Sequence, residues 1–200
     1  MRKTPQQFKR LEVKQVIDKI LKEAKTNLKP LSINVGESLA DNFTTTDFSF
    51  EISGSESKIV SLENQRGKGF VDGLFMGLKE YFSVEYKSIT SLALADYNVN
   101  PLMSKSNIVG TDAQASVLLS VCVEKNGVAE FQHTSRSMIY SSYFAALEAF
   151  QFYINCDRCF QKIQIFLKDA QKRNRGDIMS QYVYDLSKLT EVNNYEKEKV

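Results

Sequence analysis

Apolar residues recur at helical spacing in the first part of the chain. Leu11, Val16, Ile20 and Leu21 fall on one face of a helix predicted over residues 5–25, with lysines between the apolar positions. Pro5 suits the first turn of such a helix. Two interpretations stay open at this point. The apolar face packs on its own domain or on a dimer mate, or the basic helix touches a membrane or an acidic partner.

After Pro30 the spacing of apolar residues changes to two, which is typical of strands. Residues 31–35, 48–52 and 58–62 alternate in this way, and the polar residues 54–57 predict a hairpin between the second and third segments. A helical run then begins at Phe70 and extends to Phe82. This half of the chain is therefore predicted as a β-β-β-α unit.

The same order then occurs a second time. Strands are predicted in residues 89–99, 113–123 and 128–133, and the turn Lys125-Asn-Gly127 contains an Asn-Gly pair that accepts positive φ. A helix is predicted over 138–154. The repetition predicts an α+β fold of two pseudo-symmetric βββα units that arose by internal duplication.

The predicted organisation has three parts. Residues 1–28 form an N-terminal amphipathic helix and linker. Residues 29–154 form the duplicated domain, with units at 29–83 and 86–154. Residues 155–200 form a C-terminal helical extension, with helices predicted over 156–175 and 178–189.

Composition narrows the function classes. The chain has 200 residues, a net charge of +2, three cysteines, no tryptophan and one histidine, His133. This length is too short for a complete (β/α)₈ barrel, and one histidine excludes a His-rich metal centre. The small net charge gives no indication of a nucleic-acid or membrane partner. An odd, small number of cysteines and the lack of an N-terminal signal-like segment favour a cytoplasmic location.

Two candidate chemical groups are interpreted as structural. Cys156-Asp-Arg-Cys159 supplies at most two metal ligands and joins two predicted helices rather than following a strand, so a reduced structural pair is expected. His133 stands at a strand end, where a solvent-facing or capping role is expected. No metal and no cofactor are predicted.

The second unit carries a resemblance to a known family. Leu94-Ala-Asp-Tyr-Asn-Val99, Gly110-Thr-Asp-Ala-Gln-Ala-Ser-Val117 and Ser141-Ser-Tyr-Phe-Ala-Ala-Leu147 together resemble the C-terminal regulatory domain of the 2-isopropylmalate synthase and citramalate synthase family. In the first unit, Gly67-Lys-Gly-Phe-Val-Asp-Gly73 stands where that family has Gly-Asn-Gly-Pro-Val-Asp-Ala. The resemblance covers residues 29–154.

The resemblance implies a regulatory module that forms a homodimer and binds a branched-chain amino acid, leucine or isoleucine. Such a domain controls an acetyl-CoA-dependent synthase barrel by feedback inhibition, and that barrel is either in cis or in trans. The chain itself is not expected to be an enzyme, since it offers no nucleophile–base pair and no metal cluster. The resemblance assigns the effector site to two groups of residues. They are Gly67, Gly69, Phe70, Val71 and Asp72 in the first unit, and Asp96, Tyr97 and Val99 in the second.

Each of these positions also has a purely structural interpretation. Gly67 and Gly69 either expose backbone N–H groups to a ligand carboxylate or form a strand-to-helix turn that needs positive φ. Asp72 either meets a ligand ammonium group or caps the helix. Tyr97 either contacts the effector or serves as a core or interface tyrosine.

Three further features bear on whether the chain binds an amino acid as the family's regulatory domain does. Phe70 replaces the family's proline and would fill space that a leucine side chain needs. Residues Gly110, Thr111, Asp112, Ala113 and Gln114 are expected to form a structural loop that Asp112 and Gln114 brace through side-chain-to-backbone hydrogen bonds. The family's Asp before the last helix is missing, so Ser137 is left with an N-cap role. The alternative function is therefore a purely structural dimerisation module that has lost effector binding.

Overall fold

The computed structural model describes residues 5–54, 57–102, 114–123, 126–193 and 195. Within these ranges the chain forms four α-helices and two three-stranded antiparallel sheets, so the fold class is α+β as predicted. The helices are α1 (Pro5–Leu21), α2 (Phe70–Ser83), α3 (Met138–Lys172) and α4 (Gly176–Thr190). The strands are β1 (Asn27–Ser38), β2 (Phe43–Ser53), β3 (Lys58–Gly67), β4 (Leu92–Leu102), β5 (Gln114–Val123) and β6 (Asn126–Ser135).

Each sheet is a simple meander. The first has the order β1-β2-β3 and the second β4-β5-β6, with every neighbouring pair antiparallel. The predicted strands are present, and β1, β2, β3 and β6 are longer than predicted, because cross-strand pairing recruits polar flanking residues that alternation alone does not mark. Residues 87–91, in part predicted as strand, instead form a 3₁₀ turn that buries Ile89 before β4 begins.

One hydrophobic core connects both sheets with the helices. Helix α2 packs on β2 and β3, while the first half of α3 packs on β5 and β6 and reaches β1. The two helices meet where the ring of Phe75 lies 5.1 Å from that of Phe150. On β2 the inward positions Phe48 and Phe50 are buried, and alternate positions such as Ser49 are not, which gives the period of two its physical basis.

Helix α1 buries most of its apolar face inside the protein, although Leu11, which was predicted on that face, is exposed. Val13, Ile17 and Ile20 join the core, so this face is not free for a membrane or a partner. Arg10 fixes the helix on the second sheet: its guanidinium pairs with Glu148 and lies 4.1 Å from the centroid of the Phe131 ring. Of the two interpretations of this helix, packing on its own domain is the one the structure supports.

Helix α3 differs from the sequence prediction. Separate helices over 138–154 and 156–175 were expected, yet Met138–Lys172 is continuous, so the predicted domain boundary at 154/155 falls inside it. Asn155 lies between the two predicted helices, and its side chain is buried and hydrogen-bonded. Its side chain accepts a hydrogen bond from the Thr26 N–H at 2.9 Å and donates to the Thr26 carbonyl at 2.8 Å. Without Gly or Pro at this point, nothing interrupts the helix.

Candidate functional site

The site begins at the N-terminus of α2. Gly69 is the N-cap residue with extended backbone and no side chain to cap the helix, and the first intrahelical bond runs from the Gly73 N–H to the Gly69 carbonyl at 3.1 Å. The amides of Phe70, Val71 and Asp72 have no acceptor among the described residues. These amides are thus available to an anion, as at many helix N-termini.

Asp72 caps the turn. Its Oδ2 accepts a hydrogen bond from the Lys68 N–H at 3.0 Å, so the carboxylate reaches back toward the preceding residues. This is the predicted capping role. The carboxylate is exposed, and a negative charge in the first turn also suits the helix dipole.

The structure gives Gly67 and Gly69 different steric environments, and neither glycine has the backbone conformation that was predicted for it. The turn was predicted to need positive φ, but neither Gly67 nor Gly69 adopts it. At Gly67 a Cβ would lie 2.3 Å from the Gly73 nitrogen, so the requirement is close approach of β3 to α2. At Gly69 a Cβ would meet nothing within 4 Å, which leaves open space beside the free amides.

The second unit contributes an aromatic wall to this site. The ring of Phe70 lies edge-on to the ring of Tyr97 in β4, with centroids 6.5 Å apart. The Tyr97 hydroxyl forms a 2.8 Å hydrogen bond with the Ser142 hydroxyl on α3, and Ser142 donates in turn to the Met138 carbonyl. Burial raises the pKa of Tyr97, so the phenol is neutral at physiological pH.

The structure brings together only some of the predicted site residues. Gly67, Gly69, Phe70 and Asp72 lie at the start of α2, and Tyr97 contacts the Phe70 ring. Val99 is half-buried and shares the face of Tyr97, being two residues along the same strand.

Two predicted residues lie elsewhere. The Val71 side chain is buried in the core, so only its amide belongs to the site. Asp96 follows a β-bulge and is exposed, and its carboxylate accepts hydrogen bonds from the Tyr97 N–H at 2.8 Å and the Asn98 amide at 3.3 Å. The predicted loop residues 110–113 are outside the described part of the chain. Gln114 is exposed and opens β5.

Sequence reasoning missed Thr46. Its side chain on β2 is fully buried, and Oγ1 has no hydrogen-bond partner among the described atoms. This hydroxyl lies 3.4 Å from the position that a Cβ on Gly73 would take, beneath the first turn of α2. The inward register of Thr44 and Thr46 was visible in the alternation of β2, but the lack of a partner depends on tertiary packing.

The corresponding turn before α3 carries serines. Ser137 is the N-cap, and its hydroxyl accepts from the Tyr140 N–H at 3.1 Å, as predicted. The Ser135 and Ser141 hydroxyls are 2.7 Å apart, and Nδ1 of His133 lies 3.3 Å from the Ser141 hydroxyl. The polar groups at this helix start are therefore bound to one another.

His133 is not the solvent-facing residue that was expected. Its ring is half-buried against Phe144, with centroids 4.1 Å apart, and Tyr140 lies 5.5 Å away. Its hydrogen bond to Ser141 places it beside the helix start, though Ser137 is the residue that caps it.

The cysteine pair is buried within α3. Burial raises the pKa of both thiols, that of Cys159 to about 12, so neither resembles a reactive low-pKa thiolate. Both are free thiols on one continuous helix rather than at a helix junction. Among the described residues, no three His, Cys, Asp or Glu side chains converge in a way that would hold a metal ion.

A large cleft lies at the other end of α2. It has a volume of about 930 Å³ and is bounded by the end of β2, the start of β3 and the turn after α2. Its charged lining residues are balanced in sign, with Lys58 and Arg158 opposite Glu80 and Glu85. The predicted effector residues do not line this cleft, so it is distinct from the α2 N-terminus.

Comparison with known proteins gives no family. No family model matches the chain, and no curated protein matches its sequence. Within the described residues, none of the helices combines the length and the apolar character required to cross a bilayer.

Proposed function

We propose that this chain is a regulatory, amino-acid-binding and dimerisation module related to that of 2-isopropylmalate synthase. It acts in the cytoplasm as a homodimer, binds leucine or isoleucine, and controls an acetyl-CoA-dependent synthase of leucine or isoleucine biosynthesis, in cis or in trans. The observation that carries the proposal is the α2 N-terminus, where amides without an acceptor and open space at Gly69 adjoin Phe70, whose ring packs on Tyr97 of the other unit.

Equivalent irregularities in the two sheets support an internal duplication. The pairing of β1 with β2 shifts between Pro30 and Ser32, and the pairing of β4 with β5 shifts between Leu94 and Asp96. After each bulge, a serine of the central strand is the partner: Ser32 pairs with Ser49, and Asp96 with Ser120. Bulges are specific features of a strand, so their matched placement favours a common origin of the two units.

Small residues at the helix starts also correspond. Gly67, Gly69 and Gly73 in the first unit occupy the places of Ser135, Ser137 and Ser141 in the second. In the first unit the small residues leave the α2 amides free, while in the second the hydroxyls satisfy one another and the helix. On this proposal, only the first unit keeps an open anion site.

The α2 N-terminus suits the carboxylate of an amino acid. Three free amides and the positive end of the helix dipole favour a negative charge there. The buried, unpartnered Thr46 hydroxyl lies beneath the same turn and adds a polar group to the environment of the site. The apolar side chain of the effector would then lie along Phe70 and Tyr97.

An effector bound beside Phe70 and Tyr97 would also influence both units of the domain. Phe70 belongs to the first unit, and Tyr97 belongs to the second and is hydrogen-bonded to α3 through Ser142. An effector inserted beside these rings contacts both units at once. It therefore stabilises one relative arrangement of the units, and that bias reaches a dimer mate or a catalytic partner.

One observation favours a second candidate, a structural dimerisation module without sensing. Phe70 already packs against Tyr97, and the Tyr97 hydroxyl is already bonded to Ser142, so the aromatic wall is satisfied without a ligand. This candidate predicts a stable dimer whose melting temperature does not respond to branched-chain amino acids.

Calorimetric titration of the full chain with leucine, isoleucine and valine separates the two candidates. The sensor predicts binding of at least one of them at or below millimolar concentration. Gly69→Ala should abolish it, because the added methyl group occupies the open space beside the amides that the ligand would enter. Gly176→Ala is the matched control, because it also adds a methyl at a helix start with nothing within 4 Å. No heat with any of the three amino acids would overturn the sensor and leave the structural module.

A further inference from the structure

A second, smaller cavity lies where α1, α3 and α4 meet, remote from the α2 N-terminus. Its volume is about 320 Å³, and three lysines line it: Lys19 of α1, Lys22 of the 3₁₀ turn that follows, and Lys162 of α3. Phe166 and Tyr182 form an aromatic side of the same cavity. This size is near the lower end of the range for small-molecule sites.

The charges around this cavity do not cancel. The buried carboxylate of Asp185 binds the Lys19 ammonium at 2.7 Å and is thereby neutralised. Neither Lys22 nor Lys162 forms an ion pair with any residue in the described part of the chain. Two ammonium groups, one in the 3₁₀ turn after α1 and one on α3, therefore line the cavity without a carboxylate partner among the described residues.

Lys19, Lys162 and Asp185 all lie close enough to the Cys159 thiol to influence its pKa. Burial raises its pKa to about 12; Asp185 adds to the increase, while Lys162 and Lys19 act against it. Charged residues of α1, α3 and α4 therefore influence the pKa of the same buried thiol, which is consistent with the three helices meeting at this cavity.

Lys22 reaches the cavity through an unfavourable backbone conformation. Its φ is +52°, in the left-handed region that side chains other than Gly, Asn and Asp rarely adopt. Such a conformation is unfavourable for a residue that has a Cβ, because the Cβ crowds the following carbonyl oxygen. Glycine would adopt this backbone conformation more easily than lysine. The presence of lysine here is therefore consistent with a role for its charged side chain.

The aromatic side supplies an apolar surface next to the charges. The rings of Phe166 and Tyr182 are 5.7 Å apart and tilted by 32°, and the Lys162 ammonium lies 5.8 Å from the centroid of Phe166. A planar group placed on these rings would therefore have its substituents within reach of Lys162. The combination suits a ligand with an anionic end and a flat apolar end.

We propose that this cavity binds a small aromatic phosphate monoester, with the phosphate held by Lys22 and Lys162 and the ring lying against Phe166 and Tyr182. A phosphate monoester carries close to two negative charges at neutral pH, which matches two unpaired ammonium groups better than a carboxylate does. The site does not depend on the amino-acid sensor proposed above.

Phenyl phosphate is the probe that tests this assignment on the full chain. We expect a dissociation constant at or below about 1 mM by NMR titration at low salt, with inorganic phosphate and phenol each binding at least tenfold more weakly. Lys22→Gly and Lys162→Gln should each weaken phenyl phosphate about tenfold. Glycine is at ease at positive φ, so Lys22→Gly removes the charge while keeping the fold.

The matched controls lie on α1, just before the turn that holds Lys22, and on α3. Lys14→Gln on α1 and Lys168→Gln on α3 remove exposed charges away from the cavity and should leave the affinity within twofold of the parent. Equal weakening by these controls, equal affinity for inorganic phosphate, or no binding of phenyl phosphate would each overturn the proposal. Gly69→Ala should retain phenyl phosphate binding, so failure of the sensor and failure of this site are distinguished.

Discussion

The Tyr97 hydroxyl in β4 and the Ser142 hydroxyl in α3 form a 2.8 Å hydrogen bond, and the same tyrosine ring meets Phe70 at the start of α2. One side chain thus connects the last strand-to-helix turn of the first unit with the helix of the second. This contact contributes to the stability of the domain, and we expect it to take part in the proposed response to an effector.

Tyr97→Phe removes this hydrogen bond but keeps the aromatic ring. We expect a loss of about 1 kcal/mol in the free energy of unfolding, because Ser142 still donates to the Met138 carbonyl and is not left unsatisfied. Urea denaturation followed by circular dichroism measures the change. In a double-mutant cycle, Ser142→Ala should cost much less in the Tyr97→Phe background than in the parent. Additive losses would mean that the two hydroxyls are not coupled.

Gly67→Ala and Gly69→Ala should differ strongly in stability. The first places a methyl group 2.3 Å from the backbone nitrogen of Gly73, and the second places it in open space with φ at −158°. We expect Gly67→Ala to lower the free energy of unfolding by about 2–3 kcal/mol, and Gly69→Ala to leave it within about 0.5 kcal/mol. Similar melting temperatures for both variants would contradict the close approach of β3 to α2.

Gly73→Ala and Gly77→Ala form a second comparison on the same face of α2. At Gly73 the new methyl meets the Gln65 backbone carbonyl at 2.9 Å, which cannot move without disturbing β3. At Gly77 it meets only the flexible Gln65 side chain, at 2.7 Å. We expect Gly73→Ala to destabilise by about 1–3 kcal/mol. Gly77→Ala should be nearly neutral, because alanine gains about 0.5–1 kcal/mol in a helix. Chemical denaturation of the two variants in parallel measures both changes in the free energy of unfolding. A larger loss for Gly77→Ala than for Gly73→Ala would contradict this prediction.

His133 makes the stability depend on pH. Burial lowers the pKa of its imidazole below the ordinary value near 6.5, and Glu148 opposes this only in part. The unfolded chain therefore takes up the proton first, so the stabilising contribution is complete above pH 6.5 and is lost as the pH falls through the folded pKa.

The single histidine makes this pH effect easy to measure. Its imidazole signals in an NMR titration should have a midpoint below 6.5. Between pH 7.5 and 5.5 the parent should lose more stability than His133→Gln does, with the difference taken from urea midpoints of both chains. A midpoint at or above 6.5 would show that the imidazole is not desolvated.

Periodicity predicted the fold class and the element order because the signal is local. Alternation along β2 and the helical stripe of α2 both describe faces that are buried in the structure. The continuity of α3 was not predictable in this way. Asn155 is polar and appears at an expected boundary, and only its two hydrogen bonds to Thr26, 129 residues earlier in the chain, explain why it is buried.

The candidate site was predictable in part for the same reason. The glycines and Phe70 lie together because they adjoin in sequence, whereas their approach to Tyr97 depends on how the two units pack. The orientation of Asp96 away from Tyr97 follows from strand alternation once the bulge is known. The unpartnered hydroxyl of Thr46 has no sequence signal, since it results from the close contact between β2, β3 and α2.

The most direct test of the proposed function is an amide NMR titration of the full chain with leucine and isoleucine. We expect the amide resonances of Phe70, Val71 and Asp72 to show the largest chemical-shift changes, and that of Tyr97 the next largest. These changes should vanish in Gly69→Ala and persist in Gly176→Ala. Shifts confined to the cleft around Tyr81 and Arg158, or none at all with either amino acid, would contradict it.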